Sequence, residues 1–93
     1  MPRVASDAAA HIGSRIAEQR ATRGLTQDEV AVRSSIDSSN IRAYESGRAM
    51  PSIHSLVRIA AALEVAPGDL INGLTPDLFV APAADARRRP AHP

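Results

Sequence analysis

The sequence predicts an all-α domain of five short helices followed by a tail, and three observations predict it. Apolar residues recur three or four positions apart through most of the first 74 residues. Gly24, Gly47, Pro51 and Pro67 fall between these periodic runs, where helices stop or start. Ser6, Thr26 and Asp37 stand at the heads of the runs, where a side-chain oxygen can accept from free helix amides. The chain has 93 residues, enough for one domain and one modest core. Its only aromatics are Tyr44 and Phe79, so the core must be aliphatic.

The first helix is expected over 7–23. Ser6 caps it, Asp7 lies in its first turn, and Ile12 and Ile16 share a face with Ala9 and with Gln19 and Arg20. Gly24 stops it as a residue just past a helix end would. The second helix opens on Thr26-Gln27-Asp28-Glu29, a capping box with its Glu three residues after the cap, and places Val30 and Ala31 inward before fading at Ser34 and Ser35. The third helix starts after Asp37 and runs to about Ser46, with Ile41 and Tyr44 inward and Gly47 at its end. The fourth opens at Pro51-Ser52 with a stripe of Ile53, Leu56, Ile59, Ala60 and Leu63. The fifth runs from Pro67, suited to a first helical turn, to about Asn72. The expected organisation is an N-terminal extension over 1–6, the domain over 7–74 and a Pro/Ala/Arg-rich tail over 75–93, with an apolar island at Leu78-Phe79-Val80.

Composition excludes more than it selects. There is no cysteine, hence no disulfide framework and no cysteine-ligated metal. No apolar run is long enough to cross a membrane, and the first residues resemble no signal peptide, so a cytoplasmic location and no membrane partner are expected. His11, His54 and His92 are dispersed, and no hydrolase, metalloprotease or phosphate-loop pattern is present. No catalytic residue, metal or cofactor is therefore assigned, and no small-molecule ligand is evident. Net charge is +1, and between residues 6 and 74 seven arginines face eight acids. A nucleic-acid partner must be argued from where the arginines sit, not from their number.

The pair of helices at 27–34 and 38–46, joined by about three residues, has helix-turn-helix spacing. Around it, the chain resembles the Cro/repressor-type, or XRE, helix-turn-helix family. The resemblance runs from about Ile12 to Leu70. It rests on IGSRIAEQRATRGLTQDEVA, SNIRAYESGRAMPS and LVRIAAALEVAPGDLI. Within these, Arg-x-x-x-Gly-Leu-Thr-Gln at 20–27, Ile-x-x-Tyr-Glu-x-Gly at 41–47 and Pro-Ser at 51–52 follow in the family's order and spacing.

The resemblance implies a five-helix, lambda-repressor-like DNA-binding domain and a transcriptional regulator that binds double-stranded operator DNA. It gives Gln27 a phosphate contact, a position that suits an anion because a helix start offers free amides. It makes the third helix the recognition helix, with Ser38, Ser39, Arg42 and, less reachable, Ala43 facing bases, and Asn40 leaning toward the backbone. Of these, Arg42 alone can make a bidentate contact to guanine. Arg48 should reach a phosphate, while Arg23 and Arg33 are weaker candidates. Arg20 and Glu45 are implied as an internal ion pair tying the first helix to the end of the third. The sequence departs from the family's usual pattern at Ser35, which stands where glycine commonly takes a left-handed turn position, at a cost of about 1 kcal/mol.

One such domain buries too little surface for tight specific binding, so a homodimer reading a palindrome is expected. Its interface is assigned to Leu70, Ile71, Leu74, Leu78 and Phe79, which lack an evident internal partner. The competing expectation is that Leu78–Val80 folds back as a lid. Beyond Pro82 the tail is expected to carry Arg87-Arg88-Arg89 as a loose basic patch. The alternative to a DNA-binding regulator is an antitoxin-like or adaptor protein that keeps this fold for protein partners.

Overall fold

The computed structural model describes residues 5–79. Helix α1 (Asp7–Thr22) begins where Ser6, itself buried, turns its hydroxyl to accept from the Ala9 N–H at 3.1 Å. It ends at Arg23 and Gly24, whose φ of 67° lets the chain leave the helix without steric cost. Helix α2 (Gln27–Ser34) carries the expected reciprocal cap: the Glu29 N–H donates to Thr26 Oγ1 at 3.0 Å, and the Thr26 N–H donates to Glu29 Oε1 at 2.8 Å. Helix α3 (Ser38–Ser46) closes on Gly47 at φ 81°. Helix α4 (Ile53–Leu63) opens with the Ser55 N–H donating to Ser52 Oγ at 3.1 Å. Helix α5 (Pro67–Ile71) is followed by a single 3₁₀ turn at Pro76–Phe79. The described residues form an all-α, five-helix fold without strands.

Helix α1 lies against α3, α4, α5 and the 3₁₀ turn, while α2 packs on α3 and α4. The core between them is aliphatic, built on Ile16, Val30, Ile41, Leu56, Ile59, Leu63 and Leu70, with Leu25, Tyr44, Val65 and Leu74 partly buried at its edge. The crossing of α1 over α3 is close because of Gly13, a residue that periodicity alone passes over. A Cβ at this position would stand 2.7 Å from the Glu45 carbonyl oxygen and closer still to that of Tyr44. Any side chain there would force the two helices apart.

Three expectations are corrected. Ile53, assigned to the inner stripe of α4, is 75% exposed. The face defined by Leu56, Ile59, Ala60 and Leu63 has its centre about 70° around the helix from Ile53, which also sits in the first turn. Asp37 holds the N-cap position of α3 but its side chain makes no capping bond; only its carbonyl accepts, from Asn40 and Ile41. Leu70, assigned to a dimer surface, is 0% exposed and belongs to the chain's own core, because α5 packs on both α1 and α4.

Residues 1–4 and 80–93, which include Val80 of the apolar island, the Arg87-Arg88-Arg89 patch and His92, lie outside the described residues.

Candidate nucleic-acid interface

The interface is built from the inside outward. Between α2 and α3 the chain turns at Ser35, whose φ of 59° and ψ of 36° are left-handed. Ile36, the next residue, is buried and anchors the turn to the core. A residue from a distant part of the sequence holds this turn. Arg58 of α4 donates from Nε to the Ser34 carbonyl at 2.9 Å and from Nη2 to the Ser35 carbonyl at 2.6 Å. Its charge also faces the negative end of the α2 dipole. The only sequence signal was an arginine on the half-buried flank of α4, which does not reveal its target.

At the other end of the helix pair, by the start of α2 and the end of α3, Arg20 of α1 and Glu45 of α3 form a two-bond pair: Nε to Oε2 at 2.6 Å and Nη2 to Oε1 at 3.0 Å. The Glu45 side chain is 6% exposed and that of Arg20 is 22% exposed. Hydrogen bonding to Glu45 raises the Arg20 pKa above its already high ordinary value, against the opposing effect of burial. Arg20 Nη1 also donates to the Leu25 carbonyl at 2.8 Å, just before α2. Gln27 completes the cluster, its Nε2 donating to Glu45 Oε1 at 3.0 Å. One carboxylate thus gathers α1, α2 and α3. Gln27, assigned to a phosphate, is half-buried and directed to Glu45, so in this conformation its amide nitrogen faces the protein interior.

The outward side of α3 carries the other assigned residues. Ser39, Asn40 and Arg42 are exposed, while Ser38 and Ala43 are half-buried. Arg42 is not free: its Nη2 donates to Asp28 Oδ1 of α2 at 3.1 Å. Arg48 is exposed just past α3, with its Nε donating to Ser46 Oγ at 3.1 Å. Arg23 turns back along α1 to Gln19, whereas Arg33 stands on the exposed side of α2. The structure therefore brings Ser38, Ser39, Asn40, Arg42 and Arg48 to one helix and its exit.

At the end of α5 and in the 3₁₀ turn, Ile71 and Phe79 are exposed, the latter by 52%, while Leu74 and Leu78 are half-buried. Leu74 packs against the core, and the 3₁₀ turn bearing Leu78 packs back on α1. His11 of α1 binds this end too, donating from Nε2 to the Asn72 carbonyl at 2.6 Å. Arg15 adds two bonds to the Asp69 carbonyl, at 3.0 and 2.8 Å. Among the described residues no helix is long and apolar enough to cross a membrane, and no group of His, Asp and Glu is arranged to hold a metal.

Residues 11–74 match the helix-turn-helix domain family. The chain is 37% identical over 60 residues to the uncharacterized HTH-type transcriptional regulator y4dJ of Sinorhizobium fredii, a match covering 64% of this chain and 78% of that protein. It is 37% identical over 59 residues to the cryptic phage CTXphi transcriptional repressor RstR of Vibrio cholerae, covering 63% of this chain and 53% of that one. Among solved structures, the restriction-modification controller protein C.AhdI of Aeromonas hydrophila superposes with a TM-score of 0.65 at 31% identity, over 67% of this chain and 94% of its own. SinR, a master regulator of biofilm formation solved in complex with DNA, superposes with a TM-score of 0.63 at 29% identity, over 66% of this chain and 98% of its own. The turn held at Ser35, the Arg20–Glu45 pair that ties α1 to α3 and these relatives place the chain in the helix-turn-helix family of Cro/repressor type.

Proposed function

We propose that this chain is a cytoplasmic, sequence-specific DNA-binding regulator of transcription that reads an operator as a symmetric homodimer. The observation that carries the reading is the contrast across α3. Its inner side is locked through Glu45, while its outer side presents one long cationic side chain, Arg42, among Ser38, Ser39 and Asn40. A helix held in this way can enter a major groove with its first residues at the base edges. Arg42 reads a guanine, the serines accept many bases, and Arg48 at the helix exit meets a phosphate. Gln27 contacts a second phosphate after its amide leaves Glu45. The regulator named RstR and the SinR structure with DNA support this assignment.

Two copies related by a two-fold place their recognition helices about 34 Å apart, one turn of DNA, and so read a palindrome. The exposed Ile71 and Phe79, bordered by Leu74 and Leu78, supply the dimer contact at the boundary of the 7–74 domain and its tail. An antitoxin-like or adaptor role is the second reading, favoured by Val32 and Ile53, large apolar side chains in open solvent on α2 and α4. Selection of duplexes from a random pool, followed by anisotropy titration of the selected and a scrambled duplex at fixed salt, separates the two. Tighter binding to the selected duplex is expected. Equal affinity for both rejects the regulator reading.

A further inference from the structure

Asp28 is the second residue of α2, and Arg42 is the fifth of α3. The left-handed turn at Ser35 folds the two helices together so that the Asp28 carboxylate meets the guanidinium that faces the groove. The contact is a single bond of 3.1 Å, with the Arg42 and Asp28 side chains 49% and 71% exposed. Its worth to folding is small, as for other exposed pairs. Its geometric consequence is larger. A guanidinium has five N–H donors in a rigid plane, and Asp28 occupies one at Nη2. The remaining donors still include a parallel pair able to span guanine O6 and N7.

We propose that Asp28 is a specificity-determining positioning residue, a buttress that holds Arg42 in the orientation that reads guanine. The inference rests on the DNA-binding function proposed above. An arginine on an open helix surface otherwise samples many rotamers and loses that freedom on contact with a base. It can also swing to a phosphate, a contact available on every sequence. Asp28 opposes both. It restrains the guanidinium before DNA arrives, and its own negative charge disfavours a phosphate at the same place. Its neighbour Glu29 does not substitute, because the Glu29 carboxylate is engaged at the Thr26 N–H. A carboxylate that merely competed with DNA for Arg42 would have the opposite signature: its removal would tighten binding without lowering discrimination.

The test is anisotropy titration of the full chain and its D28N and R42A variants, singly and together, against the duplex selected from a random pool and against random-sequence duplex. For D28N the ratio of selected to random affinity is expected to fall about two- to fivefold, with random-duplex affinity rising as a negative charge is lost. In the R42A background, D28N should leave the ratio unchanged. An unchanged or higher ratio in D28N, or an equal fall in the R42A background, overturns the buttress while leaving the regulator reading intact. A wild-type chain that shows no preference for the selected duplex overturns the regulator reading, and the buttress with it.

Discussion

Two arginines separate the two sides of the helix-turn-helix unit. Arg20 lies beneath it, makes two bonds to Glu45 and a third to the Leu25 carbonyl, and is mostly shielded from water. Arg42 lies on its outer surface and makes one longer bond to an exposed carboxylate. The guanidinium is the same, but the surroundings are not. Inside, leaving a charge unpaired is costly, so the Arg20 cluster fixes the angle among three helices. Outside, water compensates each partner, so the Arg42 bond adds little to folding and leaves the remaining donors of the guanidinium open to a base edge. The unit therefore combines a rigid underside with a surface whose polar bonds add little to stability.

The sharpest way to break this contrast is Arg20→Ala. It leaves the Glu45 carboxylate buried with only Gln27 as a side-chain donor, and folding stability should fall by about 3 kcal/mol in chemical denaturation. A double-mutant cycle with Glu45→Ala should show strong coupling, whereas the same cycle on Arg42 and Asp28 should show less than about 1 kcal/mol. Equal coupling in the two cycles would remove the distinction between the sides. Gly13→Ala attacks the underside by volume rather than charge. Its methyl would meet the Tyr44 and Glu45 carbonyls, and folding stability should fall by about 2 kcal/mol in chemical denaturation.

Arg42→Ala addresses the outer side. The fold should retain its stability, while specific binding weakens by about 1–2 kcal/mol and preference relaxes at one base pair per half-site. A binding selection on the variant that returns the wild-type preference would show that another residue reads the base. Arg58→Ala lies between the two classes. Losing its bonds to the Ser34 and Ser35 carbonyls should cost about 1 kcal/mol, and Ser35→Gly should restore part of it by relieving the left-handed residue. If Ser35→Gly stabilises neither the parent nor the variant, the strain assigned to that turn is absent.

Much of the scaffold is legible in the sequence because its signals are local. The Thr26–Glu29 box, the serine cap at Ser6 and the glycines at Gly24 and Gly47 act within a few residues of themselves, and each bounds a helix where expected. The exceptional residue in the turn, Ser35, is also readable, but only through the resemblance, since it stands where the family commonly has glycine. The candidate surface is readable in outline: α3 does expose Ser39, Asn40 and Arg42 together. The pairing of those residues is not. Gln27 is held by Glu45, 18 positions away, and Arg42 by Asp28, 14 positions away, and helical periodicity carries no information across such gaps.

By itself, then, the sequence determined the number of helices, their approximate limits and the aliphatic core, because capping, turn conformation and apolar spacing operate along the chain, and its motifs carried the resemblance to the family. Only the tertiary structure decided which neighbour covers each face. Leu70 is buried because α5 is enclosed by α1 and α4, while Ile53, with similar chemistry, is left in water at the margin of α4. Gly13 matters because two backbones meet there, and Arg58 matters because α4 passes the end of α2. Hydrophobicity specifies that a side chain gains from burial, but the helix that buries it is chosen by packing the whole core at once.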